Sequence, residues 1–371
     1  MPGLYVHLPF CAIKCRYCGF AAFSGQNGFI DRYVEAVLKE ADLYPGFAPD
    51  TLYLGGGTPT ELSAGQLSRL LEGLRGRYGP LARLKESTVE ANPETADEAR
   101  LDVLRGFGVT RLSLGLQAVQ ERLLRELGRR HTWEGFLRAF RLARERGFSV
   151  NVDLMCGLPG QSLAQQQESL ERTLGLEPDH VSLYSLHVEE KTHFSKRGVR
   201  VDEDLSRDML EASMERLRAA GLRHYEISNF ARPGHESRHN VNYWMGGDYL
   251  GLGCGAAGHL AGARWQNEAR LSRYLERVAA GERPVAFSER LDGKAKLGET
   301  VMVRLRLIDG CELSPDIEAA FGAEIRDLSD RGLVRISRER GRPKMLRLSP
   351  EGVFLANEVF RAFVTVEEAC A

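Results

Sequence analysis

Residues 4–20 read LYVHLPFCAIKCRYCGF, and the junction inside that stretch sets the architecture. Its first part, 4–8, is a short apolar run with strand character, and the loop after it carries cysteines at 11, 15 and 18. A strand that delivers reactive side chains into the loop at its carboxyl end is the pattern of α/β proteins with parallel sheets. The same unit recurs up to about residue 230. Strands are expected at 51–54, 87–90, 111–114, 149–154, 181–185 and, more weakly marked, 223–227. Between them lie amphipathic helices at 31–44, 64–77, 97–106, 133–147 and 204–220. Such alternation implies parallel pairing through right-handed crossovers. Six units are too few for a closed eight-stranded barrel, which leaves an open barrel or a doubly wound sheet.

In either fold the chemistry belongs at the carboxyl ends of the strands, and the unusual residues do follow strands. The cysteines follow the first, Gly55-Gly56-Gly57-Thr58-Pro59 the second and Glu90-Ala91-Asn92-Pro93 the third. Gln117 follows the fourth, and Asp153 with Gly157-Leu158-Pro159-Gly160 lies at the fifth.

Composition narrows the partners. The 50 Lys and Arg against 51 Asp and Glu leave a formal charge of −1, so no global field gathers nucleic acid. Residues 1–10 lack a basic, apolar leader, and no stretch reaches the roughly 18 apolar residues of a membrane span. A cytoplasmic protein is expected. The seven cysteines are an odd number with four scattered singly, which is not a disulfide framework.

Cys11, Cys15 and Cys18, spaced C-x3-C-x2-C, can form a cup of three thiolates. A structural zinc ion needs a fourth ligand, for which His7 is the candidate. A four-iron cluster held by three thiolates instead leaves one iron open to a small molecule.

The stretch LYVHLPFCAIKCRYC resembles the signature of radical S-adenosylmethionine enzymes, and more narrowly the oxygen-independent coproporphyrinogen III oxidase family, over nearly the whole chain. The resemblance implies a partial (β/α)6 barrel, a [4Fe-4S] cluster on Cys11, Cys15 and Cys18, and S-adenosylmethionine framed by Tyr5 and Tyr17. It further implies cofactor contacts at Gly56, Gly57 and Thr58 of GGGTPT, at Glu90 of VEANP, and at Gln117, Arg129 and Asp153. An electron donor of flavodoxin or ferredoxin type would supply the cluster.

Two departures separate this chain from the decarboxylating oxidases. Gly19-Phe20 stands where those enzymes carry a fourth cysteine, and only ten residues precede Cys11. Instead, His239-Asn240-x-x-Tyr243-Trp244 is similar to the motif of haem chaperones of the HemW type. His239, Asn240, Tyr243 and Trp244 are therefore the expected haem contacts, with His7, His187, His235 and His259 as rival ligands. The glycine-rich run at 246–262 is expected to bring backbone close to a neighbour, with a flat ligand as the candidate. The expected activity is haem binding and delivery to apo-haemoproteins such as respiratory enzymes. The alternatives are coproporphyrinogen oxidation and, more remotely, DNA binding.

Three segments are expected: a barrel at 1–230, a glycine-rich α+β segment at 231–295, and a winged-helix-like unit at 296–371. In the last, helices begin near 297, 315 and 323, a basic hairpin spans 333–348, and a final helix follows Ser349-Pro350. Its basic residues are Arg335, Arg338, Arg340, Arg342, Lys344 and Arg347.

Overall fold

A computed structural model describes residues 1–338 and 341–364. Six parallel strands form the centre: β1 (Gly3–Leu8), β2 (Thr51–Gly56), β3 (Glu86–Ala91), β4 (Arg111–Gln117), β5 (Ser149–Cys156) and β6 (His180–Ser185). They pair in chain order, with Gly3 opposite Thr51 and Thr88 opposite Arg111. The crossovers carry α1 (Ile30–Asp42), α2 (Ala64–Tyr78), α3 (Glu98–Gly106), α4 (Glu121–Leu127), α5 (Trp133–Glu145) and α6 (Leu163–Leu174), and α7 (Glu203–Ala219) follows β6. Their starts are written in the sequence. Ser63 with Gln66 and Ser162 with Gln165 form reciprocal capping boxes, while Asp97, Thr132 and Asp202 cap α3, α5 and α7.

The period-two alternation of the strands divides the barrel. Leu4, Val6, Leu8, Leu52, Leu54, Val89, Leu112, Leu114, Leu116, Val150, Val152, Leu154, Val181 and Leu183 are buried against the helices in one apolar core. The alternate positions face inward, and they are polar: Thr88, Glu90, Arg111, Ser113, Gln117, Asn151, Asp153, His180 and Ser182 line a central cavity. A closed eight-stranded barrel fills its interior with branched apolar layers. This interior is built to hold something polar.

The sheet continues on both sides to twelve strands. Beside β6 lie β7 (Arg223–Glu226) and β8 (Asn229–Ala231), with β8 antiparallel to both β6 and β7. The chain then forms α8 (Arg238–Trp244) and returns to the other edge. There β9 (Tyr249–Leu252) runs parallel to β1, followed by antiparallel β10 (Ala257–Leu260), β11 (Ala263–Asn267) and β12 (Val285–Arg290). The 231–295 segment thus shares the barrel's sheet, and its helix α9 (Leu271–Ala279) shares the barrel's core.

The close approach expected of the glycine-rich run is present, but its partners are the protein itself. A Cβ on Gly251 would fall 1.8 Å from the Ala257 carbonyl oxygen, and one on Gly258 2.2 Å from the Trp265 ring. No residue from 246 to 262 lines the cavity, so this backbone gives no seat to a flat ligand there. The reason is packing: the Ala257 carbonyl and the Trp265 ring, from neighbouring strands of the sheet, fill the space that side chains at those positions would take.

A second core unites α10 (Gly293–Arg304), α11 (Pro315–Asp330), β13 (Cys311–Glu312), β14 (Val334–Ser337), β15 (Met345–Leu348) and the closing helix α13 (Ala356–Arg361), while the short α12 (Pro350–Phe354) before α13 packs Val353 and Phe354 on the first core. The two helices expected near 315 and 323 are one, α11, interrupted at Phe321 where φ is −131°. Phe321 faces Phe363 at 5.3 Å and is buried, so the core holds the two halves together across the break. In the hairpin, Lys344 pairs with Glu318, and the Arg347 Nε donates to the Asp309 carbonyl. Arg340 lies outside the described residues.

Candidate functional site

A cavity of about 640 Å³ opens at the carboxyl ends of the strands and runs down the barrel interior. At its mouth, Cys11, Cys15 and Cys18 are all partly exposed and line it. The loop that carries them is pinned from both sides. On one side the Gly57 and Thr58 amides donate to the carbonyls of Leu8 and Phe10, at 2.9 and 2.8 Å. A Cβ on Gly57 would meet Phe10 O at 2.7 Å, so the glycine there serves contact between two loops. On the other side, Arg16 N donates to Leu127 O and Phe194 N to Arg16 O, each at 3.0 Å. Tyr17 packs on the small apolar cluster of Leu123, Leu127, Met155 and Phe194.

A chain of hydrogen bonds joins Cys11 to Cys15 from beneath. The Cys11 Sγ lies 3.7 Å from Thr58 Oγ1, and that hydroxyl accepts from Asn92 Nδ2 at 3.0 Å, which leaves its proton for the sulfur. The Asn92 Oδ1 accepts from Arg129 Nη1 at 2.8 Å, and the same nitrogen lies 3.7 Å from Cys15 Sγ. The Arg129 Nη2 donates to Gly115 O at 2.6 Å, while its buried Nε has no partner among the described residues. A cation in contact with a thiol, and with a donor left over, suits an anionic group in the cup.

Burial pushes the Cys11 thiol up to about 11 and raises Cys18 as well. Loading the cup therefore releases protons. His7 does not complete a zinc site: its Nε2 bonds Ala21 O at 2.8 Å and its Nδ1 the Tyr5 hydroxyl at 2.9 Å. Among the described residues no three His, Cys, Asp or Glu side chains converge as a single ion requires. A [4Fe-4S] cluster is held by one thiolate per iron, the kind of donor that Cys11, Cys15 and Cys18 supply.

Deeper in, Glu90 accepts from Tyr53 Oη at 2.8 Å and from Gly56 N at 3.0 Å, and burial lifts its carboxyl to about 7. Asp153 accepts from Asn151 Nδ2 at 2.8 Å, and burial raises it too. Gln117 holds φ at +70° where the β4 ladder slips register. A strained, buried amide at a strand end is a mark of function. Tyr17, Gly56, Gly57, Thr58, Glu90, Gln117, Arg129 and Asp153 all line the cavity, and Tyr5 does not.

The His239 motif lies at the opposite end. Residues 235–240 cross the amino ends of all six barrel strands. The His239 Nδ1 bonds Thr51 Oγ1 at 2.8 Å, and a Cβ on Gly3 would meet its ring at 2.9 Å. The Glu86 carboxylate caps α8, accepting from the amides of Arg238 and His239. The His235 carbonyl accepts from Arg111, and its ring lies 3.2 Å from Ser149 Oγ. His180 reaches Ser237 through Tyr225 Oη. The segment is the floor of the barrel.

Within it His239 is fully buried, its Nε2 bonded to Tyr243 Oη at 2.8 Å, and burial lowers it to about 3. Trp244 lies under the Arg306 guanidinium at 4.7 Å. Of the four motif residues only Asn240 lines the cavity. His187 lines it at the mouth and is exposed, whereas His235 and His259 face other parts of the protein. Asn92, noted in the sequence only as part of the turn after a strand, and Arg111, Thr88, Asn151 and His180 were not expected as site residues, yet all line the cavity. Their signal was available: each is an inward position of an alternating strand or, for Asn92, the residue just past one.

A profile of the Radical SAM superfamily matches residues 5–173. The chain is 34% identical to a haem chaperone, HemW, of Bacillus subtilis, over 98% of its own length and 99% of that protein. It is 36% identical to HemW of Mycobacterium tuberculosis, covering 98% and 94% of the two chains. Among solved structures, coproporphyrinogen III oxidase (HemN) from Escherichia coli, a radical SAM enzyme, matches with a TM-score of 0.86 and 26% identity, over 98% of this chain and 90% of that one.

Proposed function

Because the chain belongs to the HemW haem-chaperone family within the radical SAM superfamily, we propose that it binds haem and hands it to apo-haemoproteins, respiratory enzymes among them. In this reading Cys11, Cys15 and Cys18 hold a [4Fe-4S] cluster. The barrel above Glu90, Gln117, Arg129 and Asp153 receives S-adenosylmethionine, with Tyr5 and Tyr17 framing it and Gly56, Gly57 and Thr58 at its methionine end. When bound, the cluster supplies the single electron that breaks the cofactor's sulfonium bond. The protein's part is to orient the cofactor and keep the cavity dry. Arg129 supplies a cation beside the cup.

Haem is assigned to α8, with His239 as iron ligand and Asn240, Tyr243 and Trp244 around it. His239 Nε2 would exchange the Tyr243 hydroxyl for iron, while Nδ1 keeps its bond to Thr51. Such a second bond fixes the orientation of a ligating imidazole. No helix among the described residues is long and apolar enough to cross a membrane, in keeping with a cytoplasmic chaperone served by a flavodoxin or ferredoxin. The roles are proposed to divide among the barrel at 1–230, the segment 231–295 that extends the barrel's sheet, and 296–371.

The observation that carries the proposal is a cup of three accessible thiols over a polar barrel, in a chain similar from end to end to haem chaperones. The test is haemin titration followed by transfer to an apo-haemoprotein. One haem bound per chain and appearing in the acceptor supports it. No transfer, together with sustained anaerobic conversion of coproporphyrinogen III by the reduced, cofactor-loaded protein, overturns it in favour of the oxidase.

A further inference from the structure

The barrel floor holds a buried cation without an anion. Arg111 is only 4% exposed and lines the cavity. Its Nη1 donates to the His235 carbonyl at 2.8 Å; among the described residues its other donors meet no protein acceptor, and it forms no ion pair. The acids on the flanking strands are committed elsewhere: Glu86 caps α8, Glu90 is held by Tyr53 and the Gly56 amide, and Asp153 by Asn151 and Ser113. Arg129, the other arginine on the cavity, has Asn92, Gly115 and Cys15 as partners. Burying an unpaired guanidinium is costly, and such a group is normally balanced by a carboxylate or phosphate.

A second observation falls at the same place. Thr88, opposite Arg111 in the β3–β4 ladder, lines the cavity with a buried hydroxyl that has no partner among the described residues. Asn240, from the floor segment, also lines it and its side chain makes no hydrogen bond among the described residues. Guanidinium, hydroxyl and amide thus face one pocket with donors to spare.

We propose that Arg111, Thr88 and Asn240 form a site for a carboxylate group at the bottom of the barrel. A carboxylate suits it better than a phosphate. The site has one cation and no free helix terminus, since Glu86 occupies the start of α8, and Asp153 in the same interior repels a dianion. The carboxylate has two sources: a propionate arm of haem, which rests on the function proposed above, or a free small carboxylic acid.

The test is calorimetric titration of the full-length, cluster-loaded protein and its Arg111→Gln and Thr88→Val variants with haemin, haemin dimethyl ester and succinate. A charge-assisted bond predicts that Arg111→Gln weakens the carboxylate ligand roughly 10- to 100-fold, and Thr88→Val several-fold. If haemin weakens in the variants while its ester binds all three proteins alike, the source is the propionate. If only succinate weakens, the source is a free acid. Should Arg111→Gln fail to fold, Thr88→Val decides. Haemin and succinate binding unchanged in every folded variant, or no binding of either to the wild type, overturns the site. Absence of haemin binding with succinate binding intact removes the chaperone reading and leaves the site standing.

Discussion

Replacing Asn92 by alanine cuts the middle of the hydrogen-bond chain that joins Cys11 to Cys15 through Thr58 and Arg129. It removes a charge-assisted bond to Arg129 and a neutral one to Thr58. Bonds of these kinds are worth about 2 and about 1 kcal/mol, and since Asn92 already borders open space no cavity term is added. The expected loss is about 3 kcal/mol. Roughly 290 residues share the twelve-stranded sheet, so an unfolding entropy near 0.6 kcal/mol/K converts that loss to a drop of about 5 °C in Tm. Scanning calorimetry of the metal-free protein measures it. Asn92→Asp keeps an acceptor facing Arg129 and should recover more than half. With Arg129 and Thr58 untethered, the loaded Asn92→Ala protein should also lose iron to a chelator several times faster. A Tm within 1 °C of wild type and unchanged iron release would refute the linkage.

Three further outcomes are expected. Cys15→Ala should abolish cluster formation, and iron and sulfide content at wild-type level would remove Cys15 from the ligand set. His239→Ala should weaken haem binding while leaving the cluster's visible absorption intact. It also strips Thr51 and Tyr243 of their shared partner, so a stability loss of about 2–4 kcal/mol is expected in urea unfolding; unchanged stability and haem titration would contradict both roles. For Glu90, a carboxyl lifted to about 7 by burial is favoured in its neutral form by the folded state. Its contribution is fully present below the unfolded value near 4.5 and is lost as pH rises through 7. The stability of Glu90→Gln relative to wild type should therefore rise by up to about 3 kcal/mol between pH 5 and pH 8.5; a flat difference would show that Glu90 ionises normally.

Much of this was legible in the residues. Alternation in LYVHL, RLSLGLQ and SVNVDLMC gives the strands, their apolar face and their polar face at once, because side chains on a strand have period two. The cysteine spacing and the placement of Gly56, Glu90, Gln117 and Asp153 after or at strand ends locate the cup and the upper cavity. What stayed hidden depends on contacts distant in sequence. Nothing local in residues 235–240 says that they will lie across the amino ends of the barrel strands, with His239 against Thr51 and His235 against Arg111. Likewise Gly251 and Gly258 read as openings for a ligand, until Ala257 and Trp265 are seen to occupy the space. In the same way, nothing near His239 in sequence says that Thr51 will hold its Nδ1 while Tyr243 holds its Nε2.

The measurement that bears most directly on the three-thiolate cup is electron paramagnetic resonance of the anaerobically reconstituted, reduced protein before and after adding S-adenosylmethionine, with iron and sulfide determined on the same sample. About four of each per chain and a shift of the reduced-cluster signal on adding the cofactor are expected, because three thiolates leave one iron free to bind it. A zinc-filled cup, or a cluster whose signal the cofactor leaves unmoved, would contradict the account at its base.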